Sequence, residues 1–146
     1  SAASDVYKRQ TLDHARELID AALASATEHG WLISAAVIDR HGNLVAFARQ
    51  DGSTLASGLS AQAKAWTAAA IGASTSDLQP LTAPGQPIHG LPHAAGPNRP
   101  ITPVPGGIPI RATDGTLLGG IGIGGAPAPG DDHLVADSAV RPHQAF

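Results

Sequence analysis

From Gly120 to Gly124 glycine and isoleucine alternate, inside the longer run Gly119-Gly120-Ile121-Gly122-Ile123-Gly124-Gly125. Side chains of a strand alternate between its two faces, so this segment reads as a strand with one apolar face and one face carrying no side chains at all. A bare face lets something approach the backbone closely, either a packed helix or a flat ligand. The run also satisfies G-x-G-x-x-G, but that dinucleotide fingerprint needs a helix directly behind it, and Pro127 and Pro129 intervene.

A helix suited to close approach lies earlier in the chain. Ala56 to Ala73 carries Ala61, Ala63, Ala65, Ala68, Ala69 and Ala70 around Trp66. Alanine on most sides implies tight packing against the sheet or a neighbouring subunit. A first helix begins at Thr11, with Leu12, Ala15, Ile19, Ala22 and Ala26 at spacings of three and four. Thr11 can cap it and Gly30 can end it in the left-handed conformation. Two hairpins are expected: Ile33–Asp39 with Leu44–Arg49 around Arg40-His41-Gly42-Asn43, and Gly106–Arg111 with Leu117–Gly125 around Asp114-Gly115. Between Asp77 and Pro105 eight prolines forbid any long helix or central strand, so a long loop is expected. Such loops are usually functional. Asp131 and Asp132 open a last short helix with Leu134, Val135 and Ala139 on its apolar side, ending before Pro142. The order helix, hairpin, helix, loop, hairpin, helix predicts an α+β layered domain with an antiparallel sheet.

Composition narrows the function classes. A chain of 146 residues, 42% hydrophobic, is the size of one domain with its own core. The net charge of −3 and the lack of any basic run argue against a nucleic-acid partner. No apolar run approaches the roughly 20 residues that span a bilayer, so no membrane partner is expected. With no cysteine there is no thiolate chemistry and no cysteine metal site, and no metal centre is expected. Ser1–Gln10 (SAASDVYKRQ) has no apolar period and reads as a non-native or disordered leader, a processing or sequence-assembly remnant, leaving a single domain over 11–146. Cytoplasmic residence is the expectation, with secretion through a lost signal peptide left open.

Four side chains are candidates for chemistry. Lys64 is the lone lysine beyond the leader, and it shares a helix face with Ser57, Ser60, Thr67 and Ile71. Facing a pocket, its amine could serve as a base, a Schiff-base nucleophile or an anion anchor; otherwise it snorkels to solvent along alanine methyls. His89 and His93 flank Gly90-Leu91-Pro92, which rules against a helical zinc face but permits either to act as an axial haem ligand, against the plain alternative of a loop imidazole bonding backbone carbonyls. Arg99 could clamp a carboxylate, or be an ordinary solvated loop arginine. Glu17 and Asp20 form an acidic pair on the first helix, of the kind that is usually just a wet face.

Leu12-Asp13-His14-Ala15, then Ala36-Val37-Ile38-Asp39-Arg40-His41-Gly42-Asn43-Leu44-Val45-Ala46-Phe47-Ala48-Arg49-Gln50-Asp51-Gly52, then Ala63-Lys64-Ala65-Trp66-Thr67-Ala68-Ala69-Ala70 together resemble the GlcG/HbpS family, also called haem-degrading or PduO C-terminal-like domains. His89-Gly90-Leu91, Gly106–Ile110 and Gly119–Gly125 follow in the family's order, so the resemblance runs from Thr11 to Ala139. It departs at Ala94–Pro100, which carries extra prolines, and at Gly124-Gly125-Ala126-Pro127, where the family more often has Ser-Gly-Gly. The resemblance implies a profilin-like fold, a homo-oligomer, and binding of haem or a related tetrapyrrole. On that reading His89 or His93 is the axial ligand and Lys64 or Arg99 pairs with propionates. The other reading is a cofactor-independent enzyme acting on a small carbonyl or carboxylate compound, with Lys64 and a loop histidine, His89 foremost, as the catalytic pair. For the oligomer, the face around Ala61, Ala65 and Ala69 or the glycine-rich strand is the expected interface, with the proline-rich loop ordered by the neighbour.

Overall fold

The computed structural model describes residues 9–94, 96–99 and 101–144, so most of the leader, Ala95 and Pro100 lie outside the described residues. In chain order the elements are α1 (Leu12–Glu28), β1 (Ser34–Asp39), β2 (Leu44–Arg49), α2 (Leu55–Ile71), α3 (Thr75–Leu81), a 3₁₀ turn (Leu91–His93), β3 (Gly107–Arg111), β4 (Leu117–Gly124) and α4 (Pro129–Gln144). Both hairpins form as expected, and β1 pairs antiparallel with β4, giving the sheet order β2-β1-β4-β3. Among the described residues no helix is long and apolar enough to cross a membrane.

Local chemistry sets the element ends. Thr11 caps α1 by accepting a hydrogen bond from the His14 amide at 3.2 Å, and Gly30 follows its end at φ +74°. Thr54 caps α2 through the Ser57 amide at 3.2 Å, and left-handed Gly72 terminates it. Two expectations are corrected. The loop begins later than Asp77, because Thr75–Leu81 forms one short helix; Pro80 sacrifices only its own hydrogen bond there, and Thr82 closes the end on the Leu78 and Gln79 carbonyls. The last helix starts at Pro129 and continues through Pro142 to Gln144 rather than stopping before it. Its apolar seam is Val135, Ala136, Ala139 and Val140, all buried, whereas Leu134 faces outward. That seam packed against the core outweighs the one bond a proline removes.

The sheet is the middle of three layers. Ala35, Val37, Ile108, Ile110, Ile121 and Ile123 project to one side, into a core completed by Leu18, Ile19 and Ala22 of α1 and the α4 seam. On the other side Ala36 and Ile38 meet Ala61, Ala65 and Ala69 of α2. The bare face of β4 lies under this helix: a methyl added at Gly122 would sit 2.0 Å from the Ala61 carbonyl oxygen, and one at Gly120 would sit 2.4 Å from that of Ala65. A helix, not a flat ligand, covers the glycines. The placing of a subunit interface on Ala61, Ala65 and Ala69 is corrected by the same packing, since these residues are 0%, 0% and 4% exposed within one chain.

Candidate functional site

The polar stripe of α2 does not line an open pocket. Its buried members fasten the helix to other parts of the fold. Ser57 bonds Ser34 on β1 at 2.8 Å and Ser53 at 2.5 Å through their hydroxyls. Thr67 accepts the Thr102 amide at 2.8 Å, tying the end of the proline-rich loop to the helix. Lys64 passes beneath the end of β4, where its ammonium donates to the Ile123 carbonyl at 3.1 Å and to Asp132 Oδ2 at 3.0 Å. Both side chains are sealed, at 4% and 6% exposure. The other carboxylate oxygen, Asp132 Oδ1, accepts the Ala126 amide at 2.9 Å. Burial pushes the Asp132 carboxyl above the usual range, and the Lys64 charge and the two hydrogen bonds hold it down only in part. A lysine engaged in this way neither snorkels to solvent nor presents a free amine.

The opposite, outward side of α2 borders a cleft of about 440 Å³. Its floor is Ile38, Ala63 and Trp66, its rim Leu59 and Gln62, and its far wall Asn98 and Arg99 from the proline-rich loop. At Gly42 it adjoins a smaller recess of about 120 Å³, lined by Trp66, Arg99 and the exposed Arg40 and His41 of the β1–β2 turn. The sequence builds this turn locally. Asp39 Oδ1 accepts the His41 amide at 2.9 Å and the Asn43 amide at 3.0 Å, while Gly42 takes φ +87°. Gly42 also serves as a cradle: a methyl there would sit 3.1 Å from Trp66 Nε1 and 3.4 Å from Arg99 Nη1. A side chain at this position would push between the indole and the guanidinium.

Among the described residues no carboxylate lines the cleft or the recess. Together they offer two arginines, one imidazole, an indole and an apolar floor. That set suits a flat, largely apolar molecule bearing carboxylates.

The expected site residues thus separate. Arg99 lines the cleft. Lys64 lies on the other side of α2, against the sheet. His89 and His93 are exposed on the loop, and neither is among the residues lining the cleft. Glu17 and Asp20 are exposed, and the described residues contain no group of three or more acidic or histidine side chains able to hold a bare metal ion. Sequence reasoning read Arg40-His41-Gly42-Asn43 only as a turn and Trp66 only as packing. The available signal was two basic-type side chains beside a turn glycine, directly after a buried strand.

The sequence pattern of the family described as haem degrading protein HbpS-like matches residues 11–141. Among solved structures, Klebsiella pneumoniae protein ORFY is 27% identical with a TM-score of 0.86, covering 94% of this chain and 92% of that one. A double mutant of Streptomyces reticuli HbpS is 32% identical with a TM-score of 0.80, covering 92% of this chain and 86% of that one. The structure described as a PduOC:Heme complex is 28% identical with a TM-score of 0.83, covering 91% of this chain and 94% of that one. No curated protein sequence matches the chain.

Proposed function

Because the chain belongs to the HbpS-like family of haem-degrading proteins, we propose that it binds haem or a closely related tetrapyrrole in the cleft between the β1–β2 turn and the outward face of α2. One observation carries the assignment to this cleft: Trp66 and Arg99 converge on Gly42 over an apolar floor with no lining carboxylate among the described residues. The description of a relative's structure as a heme complex supports the ligand class. Arg99 pairs with a carboxylate at the rim, Trp66 and Ile38 receive the ring, and Leu59 shields its edge. Bound haem would supply a redox-active iron. Lys64 acts as a structural cation that holds the end of β4 and the start of α4 in place.

Haem titration followed at the Soret band tests this reading. Saturable binding near one haem per chain is expected at micromolar haem. Arg99→Ala should raise Kd several-fold to about tenfold, in line with the loss of one charge-assisted hydrogen bond. The absence of any Soret shift, or binding indifferent to both Arg99→Ala and Trp66→Ala, would overturn the assignment.

The chain forms a homo-oligomer through its remaining exposed apolar surface. Leu55 and Leu59, 81% and 69% exposed, stand on the outward edge of α2 beside the cleft, where a second copy would wall its open side. Light scattering at tens of micromolar should show at least a dimer, reduced to a monomer by Leu55→Glu with Leu59→Glu. A monomeric wild type would defeat the claim.

A further inference from the structure

We propose that the open edge of β2 is the seam of a two-fold dimer, in which β2 of one copy pairs antiparallel with β2 of a second copy; the proposal rests on the homo-oligomer reading and deepens it. The sheet order leaves β2 and β3 as its edges. β3 is closed to further pairing. Its Gly107 amide points away from β4 and donates to Thr75 Oγ1 at 2.9 Å, and Pro109, in the same phase of the strand, has no N–H to offer. β2 has neither guard. Its stretch Leu44–Ala48 holds no proline and no charge. The Gln50 amide donates to the Ile33 carbonyl at 2.9 Å, so by alternation Ala48 and Ala46 bond to β1 while the backbone groups of Val45, Phe47 and Arg49 point to the open edge.

The charges beside this edge select a second copy over a foreign strand. Between α1 and β2 runs a groove of about 360 Å³, with Arg16 and Asp20 one turn apart on its α1 wall. Both are exposed, and neither has an ion-pair partner among the described residues. Thr27, late in α1, accepts a hydrogen bond from the Gln50 side chain just past β2, so helix and strand run in the same direction. A two-fold axis that makes the strands antiparallel therefore makes the helices antiparallel, and Arg16 of each copy meets Asp20 of the partner subunit. On the other face a methyl added at Gly58 would sit 3.1 Å from Phe47 Cζ, which puts the exposed Phe47 ring against α2 beside the exposed Leu55 and Leu59. The same seam covers all three. Centred on Phe47, the pairing sets Val45 against Arg49 of the partner subunit, whereas a centre on Arg49 would oppose two guanidinium groups.

Sedimentation equilibrium of the full chain, with amide hydrogen exchange read residue by residue, tests the seam. Phe47→Lys sets two ammonium groups on the axis and should raise the dimer Kd by more than about a hundredfold. Arg16→Asp alone and Asp20→Arg alone each oppose like charges and should raise it about tenfold; the combined swap, Arg16→Asp with Asp20→Arg, should return it to within about threefold of wild type. Both positions lie on an exposed helix face, so these variants keep the fold even where Phe47→Lys loses it. The amides of Val45 and Arg49 should exchange slowly in the wild-type dimer and quickly once it is diluted to monomer, which an interface elsewhere on the surface would not produce. Fast exchange at Val45 and Arg49 in an intact oligomer leaves the edge to another occupant and overturns the seam. So does a dimer Kd indifferent to both single charge reversals, and in either case the homo-oligomer stands. A wild type that is monomeric at tens of micromolar overturns the homo-oligomer and the seam together.

Discussion

Lys64→Met is expected to cost the fold about 3–5 kcal/mol, and the double substitution Lys64→Met with Asp132→Leu to recover most of that loss. The single change strands the Asp132 carboxylate in a site where its side chain is 6% exposed, with the Ala126 amide as its remaining side-chain partner among the described residues. Two charges taken from water lose more solvation than their attraction returns, so an apolar pair of similar volume is a near-neutral replacement. The Ala126 amide then loses its acceptor, which limits the recovery to within about 1–2 kcal/mol of wild type. Urea unfolding of the four proteins in the cycle reads this directly. A single-mutant loss below about 1 kcal/mol, or a double-mutant loss equal to the sum of the two singles, would contradict it.

The same pair sets a pH dependence whose sign follows from its burial. The folded Asp132 carboxyl lies above its ordinary value of 3.8, so between 3.8 and its folded value the native state holds a proton that the unfolded state has released. Unfolding therefore releases a proton in that window. The contribution of Asp132 is fully present below 3.8 and is lost as pH rises through its folded value. Subtracting the stability of Asp132→Asn from that of wild type at each pH isolates this residue. The difference should fall with rising pH across that window and level off above it, and a difference that rises across it would reverse the assignment.

The fold was largely legible because its signals are local. Thr11, Thr54, Gly30 and Gly72 mark helix ends by their own chemistry, and the Ile–Gly alternation announces a strand with a bare face. What was not legible depends on partners distant in sequence. Nothing around Lys64 tells that Asp132, 68 residues away, lies beside it, and the stripe Ser57, Lys64, Thr67 looks the same whether it faces a pocket or a sheet. The cleft is illegible for a related reason. In sequence Gly42 is one turn residue among four, and only its packing against Trp66 and Arg99 turns that loop into the wall of a cleft. The prolines misled at the ends of helices, where Pro80 and Pro142 each cost one hydrogen bond and tertiary packing decided the boundary.

The bare strand yields the second large effect. Gly122→Ala should destabilise the protein by more than about 4 kcal/mol, beyond ordinary overpacking, because the added methyl meets backbone on a helix that has no slack. It would lie 2.0 Å from the Ala61 carbonyl oxygen and 2.5 Å from the Ala65 amide nitrogen, so α2 must lift off the sheet. Ala61→Gly cannot rescue it, since the obstruction is the carbonyl and not the Ala61 methyl. Lifting α2 also carries Trp66 away from Gly42 and pulls Thr67 from Thr102, so any folded fraction should bind haem poorly. Gly130→Ala is the contrasting change: an added methyl there meets no heavy atom within 4 Å, and the position lies in α4 at an ordinary φ. It should be neutral or stabilise by up to about 1 kcal/mol, as removal of glycine from a helix does. Thermal melts of the two variants against wild type separate the roles. If Gly122→Ala unfolds within about 1 kcal/mol of wild type, the close approach of α2 to β4 is not what the glycines are there to permit.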